Sequence, residues 1–337
     1  MKKFGYAVAV LILAAAAGGL YVGYLVFSPI AIFPAPRVVS IRKGASMTVA
    51  ARELARAGVV RSELVFILYA NLSGRAKRLK PGDYGFKGGE AMPAVLSHLV
   101  NGDFMVVTVT IPEGMTVHQI GERLEQAGLG CQNNFDAAAR GGPIAAALGL
   151  GPLGTEGFLF PATYRFSPLA KPDQILATML ERFFAVLTPE VEQRLFDLNM
   201  TAREMVTMAS IIEKEAHEPQ ERPIIASVFY NRLKLGMPLQ SDPTAQYNQQ
   251  GDTERAATAV RSTSAFNTYE IAGLPPGPIA NPGLPSIRAA LYPAHTDYLY
   301  FVARNDGTHI FSRSFAEHQR AIAEVKRLNA LNRGLKD

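Results

Sequence analysis

Two glutamates near the end of one predicted helix are the side chains in this sequence best placed to act as a general acid. The helix is predicted to start at Thr201, which forms a capping box with Glu204, and to stop before Pro219. At about 100° per residue, Glu213 and Glu215 fall on opposite edges of its apolar face. Apolar neighbours raise the pKa of a carboxyl group, as proton donation near neutral pH requires. Periodicity alone does not choose between the two, and a glutamate at a helix end is commonly just solvated.

Polar residues in the predicted loops around this helix could bind a sugar. Gln240, Ser241 and Asp242 follow a predicted helix, although the same three residues could simply cap a turn. Glu156 could contact the substrate, supply a second carboxylate or have a structural role. The residues 273–283, rich in proline and glycine, cannot form a helix or a central strand. They are predicted to form a stiff loop that serves as a groove wall.

A metal site is not predicted. His217 follows Glu213 by four residues, but the chain has no HExxH motif and its six histidines are scattered. The single cysteine, Cys131, excludes an internal disulfide and any CxxC motif. The sequence therefore predicts neither a metal nor another cofactor.

The candidate residues belong to a predicted catalytic domain, residues 155–337, of mixed α+β structure. Helices are predicted over 172–184, 189–198, 201–216, 222–236, 286–291 and 315–332. Residues 237–244 are predicted to be a polar loop. The segments 298–302 and 308–311 predict a hairpin around the Asp306-Gly307 turn.

An internal repeat organises the residues before this domain. A strand–turn–helix segment recurs 70 residues later, with identical residues at Ile41/Ile111, Gly44/Gly114, Leu54/Leu124, Ala57/Ala127 and Gly58/Gly128. Further helices are predicted over 62–70 and 92–99, with a strand at 81–86 between them. This α/β pattern resembles a LysM-like module, a small fold often used to bind peptidoglycan, and is assigned with its linker to residues 37–154. We expect the module to contribute affinity rather than chemistry; a structural spacer fits the pattern equally well.

The N-terminal segment, residues 1–36, is predicted to hold a transmembrane helix. Residues 4–27 are almost wholly apolar and exceed the length of about 20 residues that spans a membrane. The rival interpretation is a signal peptide cleaved within the small residues 14–17, but the apolar run is longer than the about 7–15 residues of such a signal. By the positive-inside rule Lys2 and Lys3 stay in the cytoplasm, so the rest of the chain lies outside it.

Composition sets the broad class of the protein. With 337 residues, 48% hydrophobic and 19% charged, the chain is too apolar to be disordered and long enough for about two domains. The net charge is +5, and the stretch richest in lysine and arginine, Arg75–Lys80, is short, so nucleic-acid binding is not predicted.

Several motifs, in their order and spacing, resemble the endolytic murein transglycosylases of the YceG-like family. They are EGFLFP (156–161), ASIIEKE (209–215), SVFYNRL (227–233), LQSDPT (239–244), NTY (267–269) and GLPPGPIANP (273–282). The resemblance extends over essentially the whole chain. It implies that Glu213 is the catalytic acid, and it adds Asn267, Thr268 and Tyr269 to the substrate-binding candidates Glu156, Gln240, Ser241 and Asp242.

The resemblance also implies a location and a reaction. The protein would be a single-pass enzyme of the bacterial inner membrane, with a cytoplasmic N-terminus and a periplasmic catalytic domain. It would cut the β-1,4 bond between N-acetylmuramic acid and N-acetylglucosamine, leave 1,6-anhydro ends and so limit the length of nascent strands. Because the C6 hydroxyl of the sugar is then the nucleophile, one glutamate can serve first as acid and then as base.

Glycan strands are the implied partner, with peptidoglycan synthases as further candidates. Two alternatives remain open from the sequence. A muramidase-type hydrolase would usually need a pair of carboxylates, and a catalytically silent anchor would bind the wall without cutting it.

Overall fold

The chain has the predicted mixed α+β architecture and begins with a long apolar helix. The computed structural model describes residues 2–150, 154–247, 263–304 and 306–334. These residues form two compact units. One unit holds the residues up to Val107 together with Arg165–Leu169, and the other holds Thr108–Tyr164 and the residues from Ala170 onward. The boundary between the units therefore falls inside the segment predicted as one module, and residues 108–150 share a unit with Glu213.

Helix α1, Lys2–Phe27, is long and apolar enough to cross a membrane. Its segment Tyr6–Phe27 has 22 residues with a mean hydropathy of 2.1 and is almost entirely exposed. At a rise of 1.5 Å per residue, this length corresponds to about 33 Å, against about 30 Å for a hydrocarbon core. The helix thus meets the length and composition requirements of the predicted anchor.

The first unit has a strand–helix–helix–strand order, followed by one more helix. Its elements are β1 Arg37–Ile41, α2 Met47–Arg56, α3 Glu63–Leu72, β2 Gly82–Phe86 and α4 Met92–Asn101. β1 and β2 are antiparallel, with Arg37 opposite Phe86 and Ile41 opposite Gly82. The apolar faces of these elements pack into one core, which includes the fully buried Phe66 and Leu96. The order of elements is the predicted one.

The second copy of the repeat opens the second unit with the same order. Its elements are β3 Val107–Ile111, α5 Val117–Gln126, α6 Gln132–Gly141, the short α7 Pro143–Ala147 and β4 Ala162–Phe166, and β3 pairs with β4. Gly44 and Gly114 both have a positive φ, so the turn after each first strand adopts a conformation that favours glycine. Ser46 and Thr116 then cap the following helices. The repeated unit is therefore longer than the predicted strand–turn–helix segment, because it also contains a further helix and a closing strand. Strand β4 was not predicted.

After β4 the second unit is mainly helical and ends in a hairpin and a long helix. The elements are α8 Pro172–Phe184, α9 Pro189–Asp197, α10 Ala202–Glu215, α11 Arg222–Lys234, α12 Asp242–Gln246, α13 Leu284–Leu291, β5 Tyr300–Ala303, β6 His309–Ser312 and α14 Phe315–Gly334. α10 packs against α11, α12 and α13. β5 and β6 form the predicted antiparallel hairpin, with Tyr300 opposite Ser312.

The prediction of a loop over residues 237–244 is wrong in part. Helix α12 starts at Asp242, inside that segment. Pro243 lies in its first turn, where a residue without a backbone N–H is tolerated because that N–H would have no partner within the helix.

Candidate active site

Helix α10 carries both candidate glutamates at its C-terminal end. Thr201 Oγ1 accepts a hydrogen bond from the backbone N–H of Glu204, and the Glu204 carboxylate accepts one from the N–H of Thr201, as the predicted capping box requires. Residues 205–212 are all buried, so the core fixes the position of the helix. Residues two apart on a helix project in different directions, and Glu213 and Glu215 have different surroundings.

Glu213 lies in a cluster of protein donors. One carboxylate oxygen accepts a hydrogen bond from Gly283 N at 3.0 Å, and the other lies 3.4 Å from the Arg222 guanidinium. The Glu213 side chain is only 6% exposed. Burial and the negative charge of Glu213 raise the pKa of the neighbouring Glu113, while the positive charge of Arg222 lowers it. This arrangement holds the Glu213 side chain in place.

The turn that follows β3 belongs to the same cluster. Gly114 N donates to Asn281 O at 2.9 Å, and Asn281 N donates to Met115 O at 2.9 Å. A Cβ atom at Gly114 would lie only 3.6 Å from Cγ of Glu213. The second copy of the repeat therefore packs against the end of α10.

Glu215 lines a pocket of about 420 Å³. Ser241 Oγ donates a hydrogen bond to Glu215 Oε1 at 2.5 Å. Burial raises the pKa of Glu215 to about 7; the hydrogen bond from Ser241 opposes this rise, and the negative charge of Asp242 adds to it. A carboxyl group with this pKa is present in both protonation states near neutral pH, so it can donate a proton and take one back.

The pocket brings together most of the predicted substrate-binding residues. Gln240, Asp242 and Tyr269 line it beside Glu215, and Ser241 contacts Glu215 directly. The Tyr269 hydroxyl donates to Asp242 Oδ1 at 2.6 Å. Gln240 has a φ of +51°, a strained backbone conformation for a residue other than glycine. Such strain is concentrated at functional sites, and here it lies on the pocket wall.

Asn267 and Thr268 support this wall from behind. Both are fully buried. Thr268 Oγ1 accepts a hydrogen bond from Ser241 N at 3.0 Å, and Asn267 Oδ1 accepts one from Tyr269 N at 3.1 Å. Neither side chain lines the pocket, so their predicted contact with substrate is not favoured. They hold Ser241 and Tyr269 in position.

Glu156 also lies away from the pocket and is 7% exposed. Its oxygens accept hydrogen bonds from Val117 N at 3.1 Å, from Asn281 Nδ2 at 3.1 Å and from the Tyr247 hydroxyl at 3.2 Å. Burial raises its pKa to about 7, although the hydrogen bonds from Val117 N and the Tyr247 hydroxyl oppose the rise. Of the three roles left open by the sequence, the geometry favours the structural one.

Sequence analysis missed part of the pocket. Arg232 Nη1 donates to Leu239 O at 3.0 Å, and its guanidinium lies 5.0 Å from the centre of the Tyr300 ring. Tyr300 stacks on His318 with 5.1 Å between ring centres. Burial and the charge of Arg232 lower the pKa of His318. The sequence identifies these residues only as parts of a helix or a hairpin, because the tertiary fold brings them together.

The composition of the pocket suits a sugar chain better than a metal. Aromatic rings can stack on sugar faces, while the fixed polar groups orient hydroxyls. Within the ranges described, no group of three or more His, Cys, Asp or Glu side chains is arranged to hold a metal ion. The Pro- and Gly-rich loop does not supply residues to the pocket wall; its Ile279 N donates to Ser210 Oγ at 3.1 Å and joins the loop to α10.

Comparisons with known proteins agree with this architecture. The endolytic murein transglycosylase of Bacillus subtilis (strain 168) is 33% identical over 304 residues, which cover 84% of this chain and 83% of that protein. The endolytic murein transglycosylase of Streptococcus pneumoniae (serotype 2, strain D39) is 29% identical over 323 residues, covering 85% of this chain and 58% of that longer protein.

A solved structure and a family model extend the agreement. The crystal structure of a yceG-like protein from Listeria monocytogenes superposes with a TM-score of 0.58 at 30% identity, covering 85% of this chain and 98% of that one. The sequence model of the YceG-like family matches residues 39–324, which include most of both units and the pocket beside Glu215. The chain therefore belongs to the YceG-like family.

Proposed function

We propose that this protein is a lytic transglycosylase that cuts the glycan strands of peptidoglycan internally. The name shared by the relatives from Bacillus subtilis and Streptococcus pneumoniae supports the reaction class. The observation that carries the proposal is the environment of Glu215. A carboxyl group with a pKa of about 7 lies on the wall of a pocket that also presents an arginine and aromatic rings.

The proposal assigns the acid–base role to Glu215 and not to Glu213, which the resemblance of the motif suggested. Both carboxylate oxygens of Glu213 already face protein donors. Glu215 is half-buried, as Glu213 is, but its side chain lines the pocket. A general acid must reach its substrate and be protonated at the working pH. Glu215 meets both requirements, because it lines the pocket and its pKa is about 7.

The proposed reaction proceeds in two proton transfers through one side chain. Protonated Glu215 donates its proton to the glycosidic oxygen between N-acetylmuramic acid and N-acetylglucosamine as the C1–O bond breaks. The resulting carboxylate then takes the proton of the C6 hydroxyl, whose oxygen attacks C1 of the same sugar. The 1,6-anhydro ring closes and Glu215 is protonated again, so no water is consumed. Attack within one sugar has the advantage of proximity over attack by water.

The surroundings of Glu215 suit this cycle. Ser241 donates to the carboxylate and stabilises the charged form that exists between the two transfers. Burial stabilises the protonated form that starts and ends the cycle. These opposing effects keep the two states of Glu215 close in free energy.

A muramidase-type hydrolase is the second candidate, because Asp242 lines the same pocket as Glu215 and could activate water. Mass spectrometry of the products separates the candidates. A lytic transglycosylase releases 1,6-anhydro-muropeptides, whereas a hydrolase releases reducing ends that are heavier by one water molecule. A silent wall-binding anchor would release neither product from purified peptidoglycan.

The proposed location is the bacterial inner membrane, with α1 as a retained anchor, the N-terminus in the cytoplasm and both units in the periplasm. The apolar length of Tyr6–Phe27 supports the anchor, and the strand–helix–helix–strand order of the first unit supports a LysM-like module. Limitation of strand length and contact with peptidoglycan synthases complete the proposal. Recovery of the mature protein in the soluble fraction, starting after residue 17, would refute the anchor.

A further inference from the structure

Helix α3 of the first unit has apolar residues on two opposite sides. Phe66 and Ala70 on one side are buried in the core of the unit. Leu64, Leu68 and Leu72 recur every four residues on another side and are 78%, 53% and 80% exposed. A helix that is apolar all round is normally covered all round, yet among the described residues nothing covers this row of leucines.

The position of α3 beside the end of α1 indicates what covers the row. Arg61, just before α3, donates hydrogen bonds to Ser28 O at 2.5 Å and to Pro29 O at 2.6 Å, directly after α1. Its guanidinium also lies 5.1 Å from the centre of the Tyr24 ring in the last turn of α1. α1 packs against both α3 and α4. α3 is therefore fixed to the end of the helix that is proposed to cross the membrane.

The segment that joins α1 to the unit is also fixed by backbone hydrogen bonds. Ile30 N donates to Glu90 O at 3.1 Å, and Phe33 N donates to Lys87 O at 2.8 Å. Gly89 N donates back to Ile30 O at 3.0 Å. With these contacts the first unit continues directly from α1, and the end of the membrane span determines the depth at which α3 lies.

Basic residues follow the row of leucines. Exposed side chains with positive charge come directly after α3 at Arg75, Lys77, Arg78 and Lys80. Leucines beside a cluster of lysine and arginine are typical of helices that lie in the headgroup region of a membrane, where the apolar side enters the acyl boundary and the cations face anionic lipids.

We infer that α3 lies in the plane of the membrane surface, with Leu64, Leu68 and Leu72 inserted among the lipids and residues 75–80 on the headgroups. The lipid surface is the occupant of this apolar face. The inference rests on the proposed membrane anchor, and it adds that the first unit is held against the bilayer in one orientation instead of hanging from a loose tether.

The absence of tryptophan from the sequence allows a direct test. Single tryptophans are introduced into the full chain, which is placed in lipid nanodiscs that contain brominated phosphatidylcholine. Leu68→Trp reports on the row of leucines, and Leu64→Trp repeats the test one turn earlier. Val49→Trp, on α2 and 45% exposed, is the matched control. Leu13→Trp, inside α1, reports on the anchor itself.

Brominated lipid is expected to quench Leu68→Trp and Leu64→Trp at least about twofold more than Val49→Trp, because an interfacial helix buries its apolar side about 5–10 Å into the bilayer surface. Acrylamide in the water is expected to show the reverse order. Brominated phosphatidylglycerol should increase the difference, and the double variant Lys77→Glu, Arg78→Glu should remove that increase.

Two results would overturn the inference while leaving the anchor intact. In the first result, brominated lipid quenches Leu13→Trp, but acrylamide quenches Leu68→Trp as strongly as it quenches Val49→Trp. Alternatively, Leu68→Trp would be shielded from both quenchers, which would show that a protein covers the leucines. If Leu13→Trp itself escaped the brominated lipid, the anchor would fall and the inference with it.

Discussion

The pH dependence of cleavage tests the state of Glu215 most closely, since its pKa of about 7 is set by neighbours that can be changed one at a time. kcat/KM reports the ionisation of the free enzyme, so activity should fall as Glu215 loses its proton. With a pKa of about 7, the protonated fraction is about 0.9 at pH 6 and about 0.1 at pH 8, a loss of about tenfold. An ordinary carboxyl group would lose about a hundredfold over the same interval, with its midpoint near pH 4.5.

Two substitutions should move this midpoint in opposite directions. Ser241→Ala removes a hydrogen bond that stabilises the carboxylate, so the pKa of Glu215 should rise. Asp242→Asn removes a neighbouring negative charge, so the pKa should fall. Ser227→Ala is the control, because this buried serine binds Thr296 and does not line the pocket.

The assay is the initial rate of muropeptide release from purified peptidoglycan at subsaturating substrate, between pH 4 and pH 9 at constant ionic strength. Thermal melting at each pH shows that the variants stay folded. An alkaline midpoint near pH 4.5, or identical midpoints for Ser241→Ala and Asp242→Asn, would refute the assignment of the raised pKa to Glu215.

Three further predictions follow from the second unit. Glu156→Ala should lower the free energy of unfolding, measured in urea, by about 3 kcal/mol, because Val117 N, Asn281 Nδ2 and the Tyr247 hydroxyl lose their buried acceptor. An unchanged midpoint of urea unfolding would contradict the structural role. Burial raises the pKa of Glu156 in the folded state from 4.5 to about 7, so the contribution of Glu156 to the free energy of unfolding is full below pH 4.5 and is lost as the pH rises through 7. Between pH 5 and pH 8, the free energy of unfolding of Glu156→Gln should therefore fall less than that of the wild type. A chain that starts at Thr155 lacks β3 and the 113–115 turn that binds Asn281, so it should be insoluble or inactive. A chain that starts at Asp103 keeps both elements and should keep activity. A soluble and active chain that starts at Thr155 would refute this prediction.

Much of the fold was predictable from local signals. The capping box at Thr201 and the prolines that open α8 and α9 mark helix ends, so those helices match their predicted bounds closely. Strand β4 was missed, although Tyr164 and Phe166 correspond to Tyr84 and Phe86 in β2. The spacing between these pairs is 80 residues, not 70, because α7 and its flanking residues lengthen the second copy.

Helical periodicity could not choose between Glu213 and Glu215, because it describes a helix by itself. What separates the two side chains is their partners. Arg222 and Gly283 surround Glu213, and Ser241 faces Glu215, across sequence separations of 9 to 70 residues. The pocket in front of Glu215 likewise depends on Arg232 and on the hairpin of β5 and β6, which periodicity identifies only as secondary structure.

The most direct test of the account compares the release of 1,6-anhydro-muropeptides by Glu215→Gln and Glu213→Gln, measured by mass spectrometry with folding checked by thermal melting. Glutamine at 215 cannot donate and retake a proton, so the rate should fall by at least about 10²–10⁴-fold. Glutamine at 213 can still accept the hydrogen bond from Gly283 N, so its loss should be much smaller. A dead Glu213→Gln beside an active Glu215→Gln would contradict the central claim and return the catalytic role to Glu213.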